Sequence, residues 1–115
     1  MSAPTTARVM LVEDHIAFRQ ALASLLSREP DLEVVAQAGS LAEARELLHT
    51  PLDVAVVDLG LPDGDGSDLI GALHRANVGI SVLVLSVSIR AGRLEDVLKA
   101  GADAVLHKTA PPRPS

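Results

Sequence analysis

The 115-residue sequence has no cysteine, no tryptophan and no tyrosine, and one phenylalanine, Phe18. Without cysteine, disulfides and thiolate metal sites are excluded. With a single aromatic ring, the interior must be assembled from Leu, Val, Ala and Ile. Positive charge is also scarce: ten Lys and Arg stand against fifteen Asp and Glu, for a net charge of −5. The ten are scattered. This segment is therefore not expected to bind nucleic acid by itself, which takes clustered Lys and Arg against the phosphate backbone. No apolar run reaches the ~20 residues of a membrane helix. The longest candidate, residues 78–89, is interrupted by Gly79, Ser81, Ser86 and Ser88. Residues 1–7 carry neither a basic start nor the apolar stretch of a signal peptide. A cytoplasmic protein without membrane contact is the expectation.

What is present is an aliphatic α/β pattern. Hydrophobic residues make up 48% of the chain, enough for one domain that hides roughly 65% of its unfolded surface. Short continuous aliphatic runs indicate strands covered on both faces. Runs at 8–12, 32–38, 53–59, 80–86 and 102–107 read as strands. Between them lie helical stretches. Phe18, Leu22, Leu25 and Leu26 share one face before Pro30. Leu41, Ala44, Leu47 and Leu48 follow a capping box of Ser40 and Glu43. Leu69, Ile70 and Leu73 follow a start at Ser67 or Asp68, and Leu94, Val97 and Leu98 precede a Gly101 cap. The order is (βα)4β, which means right-handed crossovers and a parallel sheet with helices on both sides. Residues 1–7 are expected to be a disordered N-terminus, 8–109 the domain, and 110–115, with three prolines, a linker or truncated tail.

Ligands of an open parallel sheet sit beyond the carboxyl ends of its strands. The first strand ends in Glu13 and Asp14, the third in Asp58, the fourth in Ser86 and the fifth just before Lys108. Carboxylates brought together repel and raise one another's pKa, and a hard divalent cation resolves that conflict. Mg²⁺ takes carboxylate oxygens and commonly a substrate phosphate as well. The set reads as a phosphoryl-transfer site. Asp58 is the nucleophile, Asp14 and Glu13 hold Mg²⁺, and Lys108 neutralises phosphoryl oxygens. Ser86 turns toward the phosphate once it is present.

Plainer readings stand beside these. Glu13 and Asp14 suit a helix start, Asp58 a turn, Lys108 a solvated surface, and Ser86 an ordinary strand end. His15, His49, His74 and His107 have no metal-ligand spacing and read as surface residues. The acidic run from Asp63 to Asp68 is not a calcium loop, because Asp68 stands where that loop needs Gly and His74 where it needs Glu.

Four blocks together resemble bacterial two-component receiver domains: Met10 to His15, Val54 to Gly66, Leu83 to Ser86, and Lys99 to Lys108. The acid pair, the Asp58-x-x-Leu61-Pro62-x-x-x-Gly66 loop and the Gly101-Ala102 to Lys108 end occur in order across residues 7–109. The details are most similar to the subgroup with a LuxR/NarL-type helix-turn-helix output domain. The resemblance implies a sensor histidine kinase as donor, Mg²⁺ as the required ion and the Gly60 carbonyl as a further ligand. It also implies a flavodoxin-like (CheY-like) doubly wound fold with five strands in the order 2-1-3-4-5. DNA would be reached only through an output domain absent from this chain.

The sequence departs from that family at four places. Val87 stands where Ala or Gly is usual, and Val105 occupies the aromatic switch position. Thr109 replaces a common proline, and the last helix is expected to be missing. A sheet face left open by that helix would favour a homodimer or another partner. The functional expectation is a phosphorylation switch without turnover. The alternative is a pseudo-receiver that keeps the fold and switches little. An aspartyl-phosphate phosphatase is disfavoured, because Gly60 stands where a second Asp would be needed.

Overall fold

The computed structural model describes residues 6–87 and 89–108. The expectations for Thr109, for the tail 110–115, for most of the N-terminal stretch and for a last helix lie outside those residues.

The three central aliphatic runs form strands largely buried on both faces, while the two edge runs, 32–38 and 104–107, are only partly covered. The chain runs β1 (Ala7–Val12), α1 (Ile16–Ser27), β2 (Leu32–Ala38), α2 (Leu41–Glu46), β3 (Val54–Asp58) and a small hairpin of β4 (Gly60–Leu61) and β5 (Gly64–Asp65). A 3₁₀ turn (Gly66–Leu69), α3 (Ile70–Ala76), β6 (Ser81–Ser86), α4 (Ala91–Lys99) and β7 (Ala104–His107) follow. The main sheet has the order β2-β1-β3-β6-β7, and all its neighbouring pairs are parallel. Counting only these five strands, this is the expected 2-1-3-4-5 order.

Alternate residues of each strand supply the two faces. Met10, Val12, Ala55, Val57, Val82 and Val84 are buried with Leu41, Ala44, Leu69, Ile70, Leu73 and Val97, under α2, α3 and α4. Val9, Leu11, Val56 and Leu85 face the other way, with Phe18, Leu22 and Leu26 of α1 packed on them. Burial of each such aliphatic side chain contributes about 1.5–3 kcal/mol.

Local chemistry explains where elements start and stop. Ser40 caps α2 by accepting from the Glu43 amide at 3.1 Å, but the returning Glu43 carboxylate accepts from the Gly39 amide at 3.0 Å. Asp63, reaching back from the hairpin, accepts from the amides of Leu41 and Ala42 at 2.8 and 3.0 Å. α2 is shorter than its apolar pattern suggested: Leu47 and Leu48 lie in the turns after it, half-buried against the core. The segment after the hairpin begins at neither expected residue. Asp65 caps it by accepting from the Ser67 amide at 2.8 Å. Gly101 follows α4 with φ 117°, a left-handed conformation that glycine adopts without a Cβ clash. Its carbonyl is paired 2.7 Å from His74 Nε2, so His74 is a half-buried tie between α3 and the turn before β7, not a surface residue.

Candidate functional site

Parallel strands end at one pole, and the residues that follow their last paired positions are projected there together. The Glu13 amide pairs with the Ala38 carbonyl at 2.9 Å, extending β1 by one step. That step turns the Glu13 side chain inward, to 1% exposure, while Asp14 stays exposed. Asp58 closes β3 at 6% exposure, and Ser86 closes β6, also buried. Beyond β7, the Lys108 amide donates to the Ser86 carbonyl at 2.7 Å, which brings its side chain back across the sheet.

The structure brings together the residues read as acidic ligands and as cation. Carboxylate oxygens of Glu13, Asp14 and Asp58 lie within 4.8 Å of one another. The Lys108 ammonium is hydrogen-bonded to Glu13 Oε1 and stands 3.3 Å from Asp58 Oδ2. Asp58 Oδ1 accepts from the Gly60 amide at 3.1 Å. Glu13 Oε2 is buried and meets no donor among the described residues. Burial first, then the neighbouring Asp58 carboxyl, push Glu13 up to about 7 against the pull of Lys108. Burial works to lower Lys108, but Glu13 and Asp58 outweigh it and hold the ammonium above its ordinary value.

These groups open into a cleft of about 550 Å³ lined by Asp14, Asp58, Leu59, Gly60, Asp65, Ser86, Val87, Arg93 and Lys108. Val87 is exposed at its rim. Val105 lies elsewhere, on β7 opposite Val84, half-buried against the core. Gly66 lets the hairpin return beside Asp58: a Cβ there would sit 2.1 Å from the Asp58 carbonyl oxygen. No helix among the described residues is long and apolar enough to cross a membrane.

Three relationships escaped the sequence reading. The Lys108 ammonium lies 4.5 Å from the centre of the Phe18 ring, so Phe18 is more than a core residue. Arg19 Nη1 donates to the Glu13 carbonyl at 2.8 Å, pinning the turn that carries the acids. Arg93, in the first turn of α4, pairs with Asp65 and lies 3.3 Å from Ser67 Oγ across the cleft mouth. Burial works to raise Asp65, but the Ser67 amide and hydroxyl and the Arg93 guanidinium outweigh it and keep the carboxyl below its ordinary value. Arg93 had a usable signal. Helices that follow parallel strands begin at the carboxyl pole, so a cation in such a helix's first turn faces the site.

The sequence profile of the response regulator receiver domain matches residues 9–113. The nitrate/nitrite response regulator protein NarP of Escherichia coli is 35% identical over 113 residues, covering 97% of this chain and 53% of NarP. A LuxR-family two-component response regulator from Aurantimonas superposes with a TM-score of 0.81 at 30% identity, covering 92% of this chain and 76% of that one. A response regulator from Burkholderia pseudomallei, solved with a phosphorylated aspartic acid, calcium ion and citrate, gives 0.81 at 27% identity, with 91% and 61% covered. The chain spans about half the length of the curated relatives it matches.

Proposed function

This chain belongs to the response-regulator receiver family of two-component signalling, and on that premise we propose that it accepts a phosphoryl group on Asp58 from the phosphohistidine of a sensor histidine kinase, with Mg²⁺ as the required ion. An oxygen of the Asp58 carboxylate forms the new O–P bond as the P–N bond of phosphohistidine breaks, and the imidazole nitrogen keeps that electron pair. The observation that carries this reading is the convergence of Glu13, Asp14 and Asp58 within 4.8 Å, with Lys108 bridging two of them.

The donor set fits a hard cation. It consists of oxygens alone, and one of them, Glu13 Oε2, is buried without a donor among the described residues. Glu13, Asp14, Asp58 and the Gly60 carbonyl would hold the ion. When bound, it supplies positive charge to the transferring group. Lys108 offers its ammonium to one phosphoryl oxygen and Ser86 its hydroxyl to another. The phosphorylated aspartate and calcium of the Burkholderia relative support this assignment. The product is an acyl phosphate that biases the conformation of the domain, a switch without turnover. The output would be transcription, through a DNA-binding domain outside this chain, in the cytoplasm. The relation to transcriptional regulators such as DevR/DosR of Mycobacterium tuberculosis and UhpA supports that output.

Incubation with Mg²⁺ and acetyl phosphate tests the reading by intact mass. One added phosphoryl group on the wild type, absent in Asp58→Ala and absent in EDTA, is the expected result. No adduct on the wild type, with no change in Asp14 and Asp58 signals on Mg²⁺ titration, would leave the pseudo-receiver that Val87 and Val105 suggest.

A further inference from the structure

We propose that Arg93 recognises the phosphoryl group of the donor at the mouth of the cleft, exchanging Asp65 for phosphoryl oxygens as the donor enters. The inference rests on the phosphoacceptor reading of Asp58.

The charge balance of the cleft motivates it. Glu13, Asp14, Asp58 and Asp65 place four carboxylates in or beside the space a phosphoryl dianion must enter. Lys108, the cation at its base, is already engaged by Glu13 and Asp58. Among the residues lining the cleft, Arg93 is the second cation. It stands on α4, across the opening from the hairpin, and its side chain is 35% exposed, within reach of solvent. A guanidinium presents a planar fork of donors matched to phosphate oxygens. One nitrogen, Nη2, makes both contacts to the hairpin side, to Asp65 and to Ser67 Oγ. A partly exposed ion pair of this kind is weak, because water competes for both partners. A dianion is therefore a competitive partner for Arg93, while Asp65 keeps the arginine at the mouth until one arrives.

A simple strap between α4 and the hairpin would use the same contacts, so the test separates the two roles. Acetyl phosphate is the probe, and formation of the Asp58 adduct is followed against donor concentration in Mg²⁺. Arg93→Ala is expected to slow phosphorylation by about tenfold, mainly by raising the half-saturating donor concentration. Arg93→Lys should recover part of the loss, because it keeps the charge and loses the fork. Asp65→Asn keeps the oxygen that caps the Ser67 amide but removes the competing charge, so it should react about two- to fivefold faster than wild type. A strap predicts instead that Asp65→Asn and Arg93→Ala slow the reaction alike. That result, or an Arg93→Ala rate equal to wild type, overturns the proposal. A wild type that takes no phosphoryl group removes the phosphoacceptor reading itself, a different and separately visible failure.

Discussion

The ammonium of Lys108 lies 4.5 Å from the centre of the Phe18 ring, the one aromatic ring in the chain. Lys108 arrives from beyond β7 and Phe18 from the first turns of α1, on the opposite side of β1 and β3 from α3. The ring thus supports the ammonium that binds Glu13 and Asp58, while its body packs with Val9, Leu11 and Leu85.

Phe18→Leu should therefore act in two ways. Replacing the ring by a smaller aliphatic side chain loosens the α1 face, and the attraction between ring and cation is lost. Together these are expected to destabilise by about 1–2 kcal/mol. The second part is separable. In a Lys108→Met background, urea denaturation should find the Phe18→Leu effect smaller by about 0.5–1 kcal/mol. Equal effects in both backgrounds would mean that the ring contributes only packing.

Glu13 gives a pH signature to the metal-free protein. Its carboxyl is raised from an ordinary 4.5 to about 7, by burial and then by Asp58. A raised folded value means the folded state holds the proton more tightly than the unfolded chain. The associated stability is fully present below about pH 4.5 and is lost as pH rises through about 7. Glu13→Gln stays neutral throughout. In EDTA, the stability of the wild type relative to Glu13→Gln should fall by up to about 3 kcal/mol between pH 4.5 and 8. Thermal denaturation across that range checks it. Parallel curves would show that the buried carboxyl does not titrate in this window.

Two glycines of similar appearance in the sequence differ sharply in space. A Cβ on Gly66 would lie 2.1 Å from the Asp58 carbonyl oxygen and 3.0 Å from Val57 Cγ1. A Cβ on Gly92, in the first turn of α4, meets nothing within 4 Å. Gly66→Ala must move backbone next to the proposed phosphoacceptor and is expected to lose about 3 kcal/mol or more, together with phosphorylation of Asp58. Gly92→Ala should be neutral or stabilising by up to about 1 kcal/mol, since alanine favours helix. Calorimetry of the two variants side by side decides the point.

These cases mark what was readable in the residues alone and what was not. The five strands and their parallel pairing were legible because their aliphatic runs are continuous and alternate with helices, whereas their order across the sheet was implied only by the resemblance to receiver domains. The meeting of Glu13, Asp14, Asp58 and Lys108 followed from strand polarity, which sends every carboxyl end to one pole. The β4–β5 hairpin was not legible, because two-residue strands carry no periodicity. The partners of Asp63, Arg93 and His74 were not legible either. Each reaches a group that is 21 to 28 residues away, and polar pairing at that distance leaves no mark in local pattern.

Asp63 shows how such a partner affects behaviour. Its carboxylate accepts from the amides of Leu41 and Ala42, tying the loop after Asp58 to the start of α2. Those two bonds hold its carboxyl below the ordinary value, with a smaller contribution from Arg45. A depressed folded value means stability that is present above the ordinary carboxylate range and is lost as pH falls through the folded value. Asp63→Ala should therefore melt at a lower temperature than wild type near pH 7. The gap should narrow on acidification below the ordinary carboxylate range, as the wild-type carboxyl also takes up its proton. Asp63→Asn retains one acceptor and should fall between the two at neutral pH. A gap that persists unchanged in acid would mean that Asp63 acts through its shape in the loop rather than through its charge at the two amides.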